Sequence, residues 1–488
     1  MTTVAEAVQG ANTAYLAGIA ATPSERAGWL DAIAAGLEEN AAELVGVAMT
    51  ETHLTAPRLN GELVRTAFQL RLLAAEIRTG RQLDAVIDHS DPGWGMGPRP
   101  DLRRINEPLG VVGVFGASNF PFAFSVIGGD SASALAAGCA VVHKANPGHP
   151  ELARRTAAIV RDALATAGAP DGLFALVEDY AAGDELVTHP LVRAVGFTGS
   201  TTGGRALFDL ASARPDPIPF YGELGSTNPV FVTEGAWSAR RAEIVSGFVG
   251  SVTMGMGQFC TKPGFLFVPG TAASVAELVG TAVSAVATHE LLTPRLREAF
   301  SARLKALAED PRFRIVAGST EGSTEGGAEG LADVAPTVLA TDVTTVIEDP
   351  ELLEYEMFGP AAVIVEYRNT DELLQAASRL GGELTSGIQA EPGEDLRELA
   401  SILSRRSGRV LWNGWPTGVS VTYAQHHGGP YPATTSPLST SVGTAAIGRF
   451  LRPVAYQDFP QDHLPAGLRD DNPWKLPRLV DGEPEPTA

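Results

Sequence analysis

The fold follows from one stretch of the chain, Val111-Val112-Gly113-Val114-Phe115-Gly116-Ala117-Ser118-Asn119-Phe120-Pro121. Its first five residues form an apolar, β-branched run, which predicts a buried strand, and a turn begins at Gly116. A helix of small residues is predicted over 130–137 and is expected to end at Gly138. Strand, turn and helix in this order are typical of α/β proteins with a parallel sheet.

The alternation of strands and helices continues further along the chain. Three more strands are predicted over the apolar runs 139–143, 172–177 and 192–198. A helix is predicted over 151–167, and Ser200 is expected to cap another that begins at Thr201. A parallel sheet covered by helices on both faces binds its ligands at the carboxyl ends of the strands.

Composition limits the class of protein. The chain has 488 residues, which is too long for one ordinary core, and only two cysteines, which fits a reducing compartment. Since we find neither a signal peptide nor a run of about 18 apolar residues, we expect a cytoplasmic protein that contacts no membrane. The net charge of −21 repels nucleic acid. Cysteines and histidines do not occur at the spacing typical of zinc sites, so we expect no metal site.

Cys260 lies in the glycine-rich segment Gly255-Met256-Gly257-Gln258-Phe259-Cys260, shortly before the apolar run 265–268. A thiol on such a turn is placed like a nucleophile. The local sequence fits equally well a buried cysteine that packs as a small apolar group. Only the rest of the chain can decide between these two interpretations.

Four other segments stand in a fixed order around Cys260. They are Gly116-Ala117-Ser118-Asn119-Phe120-Pro121, Gly196-Phe197-Thr198-Gly199-Ser200, Glu223-Leu224-Gly225-Ser226-Thr227-Asn228-Pro229 and Glu356-Met357-Phe358-Gly359-Pro360. Together with the cysteine segment, they resemble the motifs of the aldehyde dehydrogenase superfamily over about residues 105–450. One such segment is a weak signal, whereas five in the order of the family are specific.

The resemblance implies an α/β fold of the aldehyde dehydrogenase type. A doubly wound cofactor-binding domain would occupy residues 1–230, with residues 88–107 as an oligomerisation arm. A catalytic α/β domain would follow over 231–430. Residues 431–488 would return to the cofactor-binding domain and end in an oligomerisation tail, so we expect a homodimer or a homotetramer.

The resemblance also implies roles for three residues. Cys260 would add to the aldehyde as a thiolate, and the Asn119 amide would stabilise the oxyanion beside the backbone N–H of Cys260. Glu223 would activate the water that hydrolyses the thioester. Family members that pass the acyl group to coenzyme A typically lack this glutamate. Taken alone, Asn119 could merely satisfy its turn and Glu223 could be a solvent-exposed carboxylate.

The family pattern further implies which residues bind the dinucleotide. The turns at the strand ends would offer backbone N–H groups to its phosphates, and Lys144 would bind the adenosine ribose. Glu356 and Phe358 would hold the nicotinamide ribose and ring. The predicted cofactor-binding residues are Phe115, Gly116, Ala117, Ser118, Lys144, Asn146, Pro147, Gly199, Ser200, Glu356 and Phe358.

One position bears on the choice between NAD and NADP. Members of the family that prefer NAD often carry a glutamate three residues after the lysine, where this chain has Pro147. No carboxylate at this position would repel a 2′-phosphate, and Lys144 is free to pair with it. We therefore expect NADP to be accepted and preferred, with NAD as the other cofactor.

Further segments resemble those of the α-ketoglutarate semialdehyde (2,5-dioxopentanoate) dehydrogenases, whose product would be 2-oxoglutarate. These segments are 115–124, 128–138, 144–150, 427–434 and 439–444. Arg65 is the predicted anchor of the keto-carboxylate, because arginine presents a fork of N–H donors, and Phe124 is assigned to the same substrate site. Arg65 and Arg71 could equally be solvated helix residues. His426 and His427 could be donors at the rim, although loop histidines are usually solvated.

Two alternatives stay open. The first is a dehydrogenase for another short semialdehyde, such as succinic or glutaric semialdehyde. The second, from another class, is a non-catalytic structural protein that keeps the fold, as some lens crystallins do. Such proteins need not keep catalytic residues, so the presence of Cys260, Glu223 and Asn119 argues against this second alternative.

Overall fold

The computed structural model describes residues 3–270, 275–320 and 333–485. Its helices are α1 (Val4–Gly18), α2 (Pro23–Glu39), α3 (Ala41–Thr52), α4 (Ala56–Thr79), α5 (Gly129–Ala137), α6 (Pro150–Thr166), α7 (Ala182–Thr188), α8 (Thr201–Ser212), α9 (Glu234–Thr253), α10 (Ala276–Ser284), α11 (Pro294–Glu309), α12 (Val343–Glu348), α13 (Thr370–Arg379) and α14 (Arg397–Arg406). In the described ranges, none of the helices combines the length and the apolar character needed to cross a bilayer.

The strands form three sheets. They are β1 (Ala85–Asp88), β2 (Leu102–Pro108), β3 (Val111–Phe115), β4 (Ala140–Lys144), β5 (Phe174–Val177), β6 (Val192–Thr198), β7 (Phe220–Glu223), β8 (Val230–Val232), β9 (Phe265–Pro269), β10 (Arg314–Ala317), β11 (Thr337–Asp342), β12 (Ala361–Tyr367), β13 (Glu383–Gln389), β14 (Ser407–Trp412), β15 (Leu451–Gln457), β16 (Arg478–Val480) and β17 (Glu483–Pro484).

The first sheet has the strand order β5-β4-β3-β6-β7, and all neighbouring strands are parallel. The chain runs outward from β3 in one direction and then from β6 in the other, which is the predicted doubly wound topology. The switch lies between β3 and β6, where Phe115 is paired with Phe197. Ligands of such sheets bind at the carboxyl ends of the strands beside this switch.

The predicted helices and strands of this sheet are confirmed, with shifts of at most two residues at their ends. Gly138 ends α5 with a φ of 98°, a backbone conformation that glycine adopts without a steric penalty. The Ser200 hydroxyl caps α8 by accepting a hydrogen bond from the Gly203 N–H at 3.3 Å. Because a capping residue stands next to each of these two helix ends, their positions could be predicted from the sequence.

The second sheet has the strand order β10-β11-β12-β9-β8-β13-β14, in which only β10 runs antiparallel to its neighbour. All seven of its strands lie within residues 230–412, after the strands of the first sheet. The segment that carries Cys260 connects α9 to β9, whereas Glu223 ends β7 of the first sheet. The two sheets therefore meet where these two side chains lie.

The third sheet is mixed and joins segments that are far apart in the chain. Its order is β15-β2-β1-β16-β17. Strand β2 pairs antiparallel with β15 along their full lengths, and β1 pairs in parallel with β16. Strand β1 follows the four N-terminal helices α1 to α4. Residues of the predicted arm and tail thus pair with each other within one chain.

Candidate active site

Cys260 lies at the centre of a cluster of three reactive side chains. Its Sγ is 3.6 Å from Nε2 of His427, and that nitrogen is 2.9 Å from Oε1 of Glu223. The three groups are supplied by the α9–β9 turn, the loop after β14 and the end of β7. The fold thus brings together residues that are up to 204 positions apart in the chain.

Glycines bend the turn that presents Cys260. Gly255 and Gly257 have φ angles of 57° and 66°, in the left-handed region that residues with a Cβ rarely adopt. A Cβ at Gly257 would lie 2.1 Å from the carbonyl oxygen of Gly359. The segment 356–360 therefore packs directly against the cysteine turn, and only glycine fits at this contact.

Glu223 is buried, and both of its carboxylate oxygens accept hydrogen bonds. His427 Nε2 contacts Oε1, and the Ser441 hydroxyl donates to Oε2 at 2.7 Å. Burial by itself raises the pKa of Glu223, but His427, Ser441 and the Cys260 thiol together bring it below its ordinary value. Because the ionised carboxylate can only accept, Nε2 of His427 carries the proton in this contact.

The pKa of the Cys260 thiol is shifted in the opposite direction, upward. Burial, followed by the negative charge of Glu223, holds the pKa of Cys260 well above its usual range. The resting site therefore contains a protonated thiol close to the Glu223 carboxylate, since the reactive atoms of Cys260, Glu223 and His427 all lie within 4.8 Å of one another. Glu223 is thus placed to receive the proton that the thiol must lose before it can act as a nucleophile.

His427 is a buried member of the site, contrary to the expectation from the sequence. Its ring is only 1% exposed, so the expectation of a solvated loop histidine is wrong for this residue, although His426 is partly exposed. The backbone N–H of His427 donates to the Thr440 hydroxyl at 2.8 Å, which fixes the ring between Cys260 and Glu223. The segment 427–434 had stood out in the sequence, but nothing in it indicated which residues it would contact.

Asn119 lies on the turn after β3, beside the cysteine turn. Its side-chain amide donates to the carbonyl oxygen of Gln258 at 2.9 Å, and its backbone carbonyl accepts from Arg58 at 3.0 Å. An amide has two N–H groups, and this contact engages one of them. The second can donate to an oxyanion formed next to Cys260.

Arg65 reaches the same cluster from α4. Its guanidinium lies over the ring of Phe124, 5.2 Å from the ring centre, and the Phe124 and His427 ring centres are 6.2 Å apart. One terminal nitrogen of Arg65 is buried and has no hydrogen-bond partner among the described residues. Arg71, by contrast, is exposed and forms an ion pair with Glu38 at 2.5 Å. The interpretation as a solvated helix residue therefore holds for Arg71 only.

Apart from Glu356 and Phe358, the predicted dinucleotide residues lie at the carboxyl ends of β3, β4 and β6, and just beyond them. Phe115 and Lys144 are the last residues of β3 and β4, and Ser200 immediately precedes the first turn of α8. Because the Gly199 N–H donates to the Glu223 carbonyl at 3.1 Å, it is not free for a phosphate. The N-terminus of α8 supplies further N–H donors, so the donor set still suits a pyrophosphate.

The turn after β4 carries the residues that bear on cofactor choice. Asn146 donates from its amide to the Gly116 carbonyl at 3.0 Å and so joins the turns after β3 and β4. Burial lowers the pKa of Lys144, and the negative charge of Asp179 opposes this shift. Pro147 is exposed. Asp179, rather than a residue of this turn, thus places a carboxylate near Lys144.

Glu356 and Phe358 lie on the segment that packs against the cysteine turn. A Cβ at Gly225 would be 2.9 Å from a carboxylate oxygen of Glu356, so this side chain reaches the segment 223–229. Burial raises the pKa of Glu356 to about 7, although the charge of Lys262 opposes the shift. A carboxylate beside the cysteine turn suits the hydroxyl groups of a ribose.

Known proteins match this chain over nearly its whole length. The model of the aldehyde dehydrogenase family matches residues 1–435. Alpha-ketoglutaric semialdehyde dehydrogenase 2 of Azospirillum brasilense is 44% identical, over 94% of this chain and 87% of that protein. Alpha-ketoglutaric semialdehyde dehydrogenase of Acinetobacter baylyi is 41% identical, over 98% of this chain and 91% of that protein. The solved structure of a 3,6-anhydro-L-galactose dehydrogenase in complex with NADP superposes with a TM-score of 0.79 at 21% identity, covering 93% of this chain and 91% of that one.

Proposed function

Because this chain belongs to the aldehyde dehydrogenase family, we propose that it oxidises α-ketoglutarate semialdehyde (2,5-dioxopentanoate) to 2-oxoglutarate. The observation that carries the proposal is the 44% and 41% identity to two proteins named for this substrate. A terminal nitrogen of Arg65, buried beside the cluster and without a hydrogen-bond partner in the described part of the chain, supports a substrate with an anionic end. The presence of Glu223 supports release of a free carboxylic acid rather than transfer to coenzyme A.

The first step is attack of Cys260 on the aldehyde carbon. As the Sγ–carbon bond forms, the thiol proton passes to the Glu223 carboxylate, which lies within 4.8 Å of Sγ. The Nε2–H of His427 donates to Glu223, and because Nε2 is also 3.6 Å from Sγ, its N–H dipole stabilises the negative charge on sulfur as that charge develops. The free N–H of Asn119 and the backbone N–H of Cys260 then hold the oxyanion.

When bound, a nicotinamide dinucleotide would supply the hydride acceptor for the tetrahedral carbon held on Cys260, whose oxidation gives the thioester. The groups that would hold it are Lys144 at the ribose, the N-terminus of α8 at the phosphates and Glu356 at the second ribose. The positive N-terminal end of α8 attracts the phosphates, which offsets part of the negative field of the chain.

Hydrolysis completes the turnover. After Glu223 has released the thiol proton, its carboxylate takes a proton from a water molecule that attacks the thioester carbon. The carbon–sulfur bond breaks, the thiol is restored, and the product leaves as a carboxylate. Ser441 and His427 keep the Glu223 carboxylate oriented through these steps.

The proposed function is tested by steady-state oxidation of 2,5-dioxopentanoate, succinic semialdehyde and glutaric semialdehyde with each cofactor. We expect the highest kcat/KM for 2,5-dioxopentanoate. A higher value for another semialdehyde would transfer the assignment to that substrate. Binding of the cofactor without turnover of any aldehyde would favour the non-catalytic alternative.

Arg65 is proposed as the anchor of the substrate carboxylate. Arg65→Ala should raise KM for the semialdehyde about 10- to 100-fold, because a hydrogen-bonded charge pair is lost, and should change kcat much less. Arg71→Ala on the same helix is the matched control and should leave KM unchanged. An unchanged KM in Arg65→Ala would exclude the anchor.

We further propose that the protein forms a homodimer or a homotetramer through the arm over 88–107 and the tail. Two large apolar side chains at the tip of the arm, Trp94 and Met96, are exposed, and Met96 is 97% accessible. Isolated exposed side chains are common, but an apolar tip on a projecting loop suits a subunit contact. Light scattering after size-exclusion chromatography gives the mass, and a monomer would refute this proposal.

A further inference from the structure

Glu383 is a buried carboxylate that lies behind the catalytic cluster. It begins β13 and is 2% exposed. Its Oε2 accepts hydrogen bonds from the Ser226 hydroxyl at 2.5 Å and from the backbone N–H groups of Thr227 and Asn228 at 2.8 and 2.9 Å. Its Oε1 accepts from the Thr227 hydroxyl at 2.7 Å. One carboxylate thus gathers donors from three consecutive residues.

These hydrogen bonds hold a backbone conformation that is otherwise unfavourable. Asn228 has a φ of 47°, in the left-handed region that costs energy for a residue with a Cβ. The N–H of this residue is one of those bound by Glu383. The neighbouring Thr227 carbonyl accepts from the Gly264 N–H at 2.6 Å, just after the cysteine turn.

Asn228 in turn holds the cysteine turn. Its amide donates to the carbonyl oxygen of Cys260 at 2.8 Å and to that of Lys262 at 3.0 Å. These two carbonyl acceptors fix the direction in which the amide N–H groups of Asn228 point. The Cys260 carbonyl is thereby fixed, and with it the orientation of the residue that carries Sγ.

We propose that Glu383 is a positioning residue for Cys260 and that it acts through Asn228. The inference rests on the proposed function, in which Cys260 is the nucleophile. Charge-assisted hydrogen bonds from three residues converge on Glu383, and the loop that they organise contacts the nucleophile residue directly. Loss of the carboxylate leaves buried donors unpaired, so the loop and the Cys260 carbonyl shift together.

The test compares kcat and cofactor binding in Glu383→Ala and Glu383→Gln. Glu383→Ala should lower kcat about 10- to 100-fold, while the Kd of NADP stays within about twofold. Glu383→Gln keeps an acceptor oxygen for the two backbone N–H groups and should recover most of the activity. Retention of kcat within about twofold in a folded Glu383→Ala variant would overturn the proposal.

Glu394, five residues after the end of β13, offers a control. Its carboxylate accepts from the Thr233 hydroxyl at 2.7 Å and from the Glu391 N–H at 2.6 Å. Glu394→Ala should therefore remove a comparable structural carboxylate without changing kcat. An equal loss of kcat in this variant would show that Glu383 has only a general structural role, which would also overturn the proposal.

A double-mutant cycle tests the route through Asn228. Asn228→Ala should lower kcat as much as Glu383→Ala, and the double variant should lose no more than either single variant. Additive losses would contradict the coupling. If Glu383→Ala does not fold, the loss in Asn228→Ala and its absence in Glu394→Ala decide the question.

The assay uses whichever aldehyde of the panel the wild-type protein oxidises fastest. Failure of the semialdehyde assignment then leaves the Glu383 measurement intact. Failure of the Glu383 proposal, in turn, leaves the substrate assignment untouched, since the wild-type ranking of aldehydes does not depend on any of these variants.

Discussion

The two cysteines of this chain have opposite surroundings. Cys139 is fully buried, its Sγ donates to the Phe450 carbonyl at 3.4 Å, and burial raises its pKa to about 11. Cys260 is partly exposed and lies against Glu223 and His427. The local sequence alone left Cys260 undecided between nucleophile and packing residue, and its neighbours favour the nucleophile.

Cys260→Ser should lower kcat at least about a thousandfold, because removal of a nucleophile removes the covalent route. The Kd of NADP should stay within about twofold, since the predicted cofactor groups lie on other segments. Cys139→Ser should keep kcat within about twofold. Titration of cofactor fluorescence and steady-state assays measure both quantities, and full activity in Cys260→Ser would refute the mechanism.

Glu223 has two effects on Cys260 that a pH profile can separate. Its negative charge raises the pKa of the thiol. In Glu223→Gln that charge is gone, so the pKa of Cys260 should fall, and the rate of alkylation by iodoacetamide should begin to rise at a lower pH than in the wild type. Turnover should nevertheless fall about 100-fold or more, because no base remains for hydrolysis. A profile shifted to higher pH would contradict the assigned charge effect.

At the scale of elements, the turn between β4 and α6 is proposed to set the cofactor preference. Pro147 is exposed on this turn, so a glutamate can replace it without disturbing the core. Pro147→Glu should reduce the ratio of kcat/KM for NADP to that for NAD about tenfold, which corresponds to about 1.4 kcal/mol of repulsion. Pro147→Gln is the uncharged control. A wild-type ratio below one would refute the preference for NADP.

Helix ends that are marked by a capping residue could be located from the sequence, whereas the irregular loop that carries His427 could not. The ends of α5 and α8 depend on a glycine and a serine adjacent to them, so the sequence locates both helix ends. The segment 413–443, which follows β14 and precedes β15, contains no regular helix or strand. Its residues therefore show no periodicity, and the position of His427 could not be inferred.

At the scale of the whole molecule, the net charge of −21 opposes the approach of an anionic substrate. Raising the ionic strength from about 10 to about 150 mM shortens the screening length from about 30 to about 8 Å. The KM for 2,5-dioxopentanoate should then fall by a factor of about two or more at saturating cofactor. Pentanal, which is neutral, is the matched control, and equal changes for both aldehydes would contradict the effect.

By itself, the sequence determined the α/β class, the doubly wound first sheet and the family, since these follow from short-range patterns and from motifs read in order. It also supplied the three catalytic candidates. Only the tertiary structure decided what surrounds them: the His427 ring between Cys260 and Glu223, and the unpaired nitrogen of Arg65. It likewise placed Glu383 behind the site. Contacts between distant loops depend on how the sheets pack, and packing leaves no periodic trace in the local sequence.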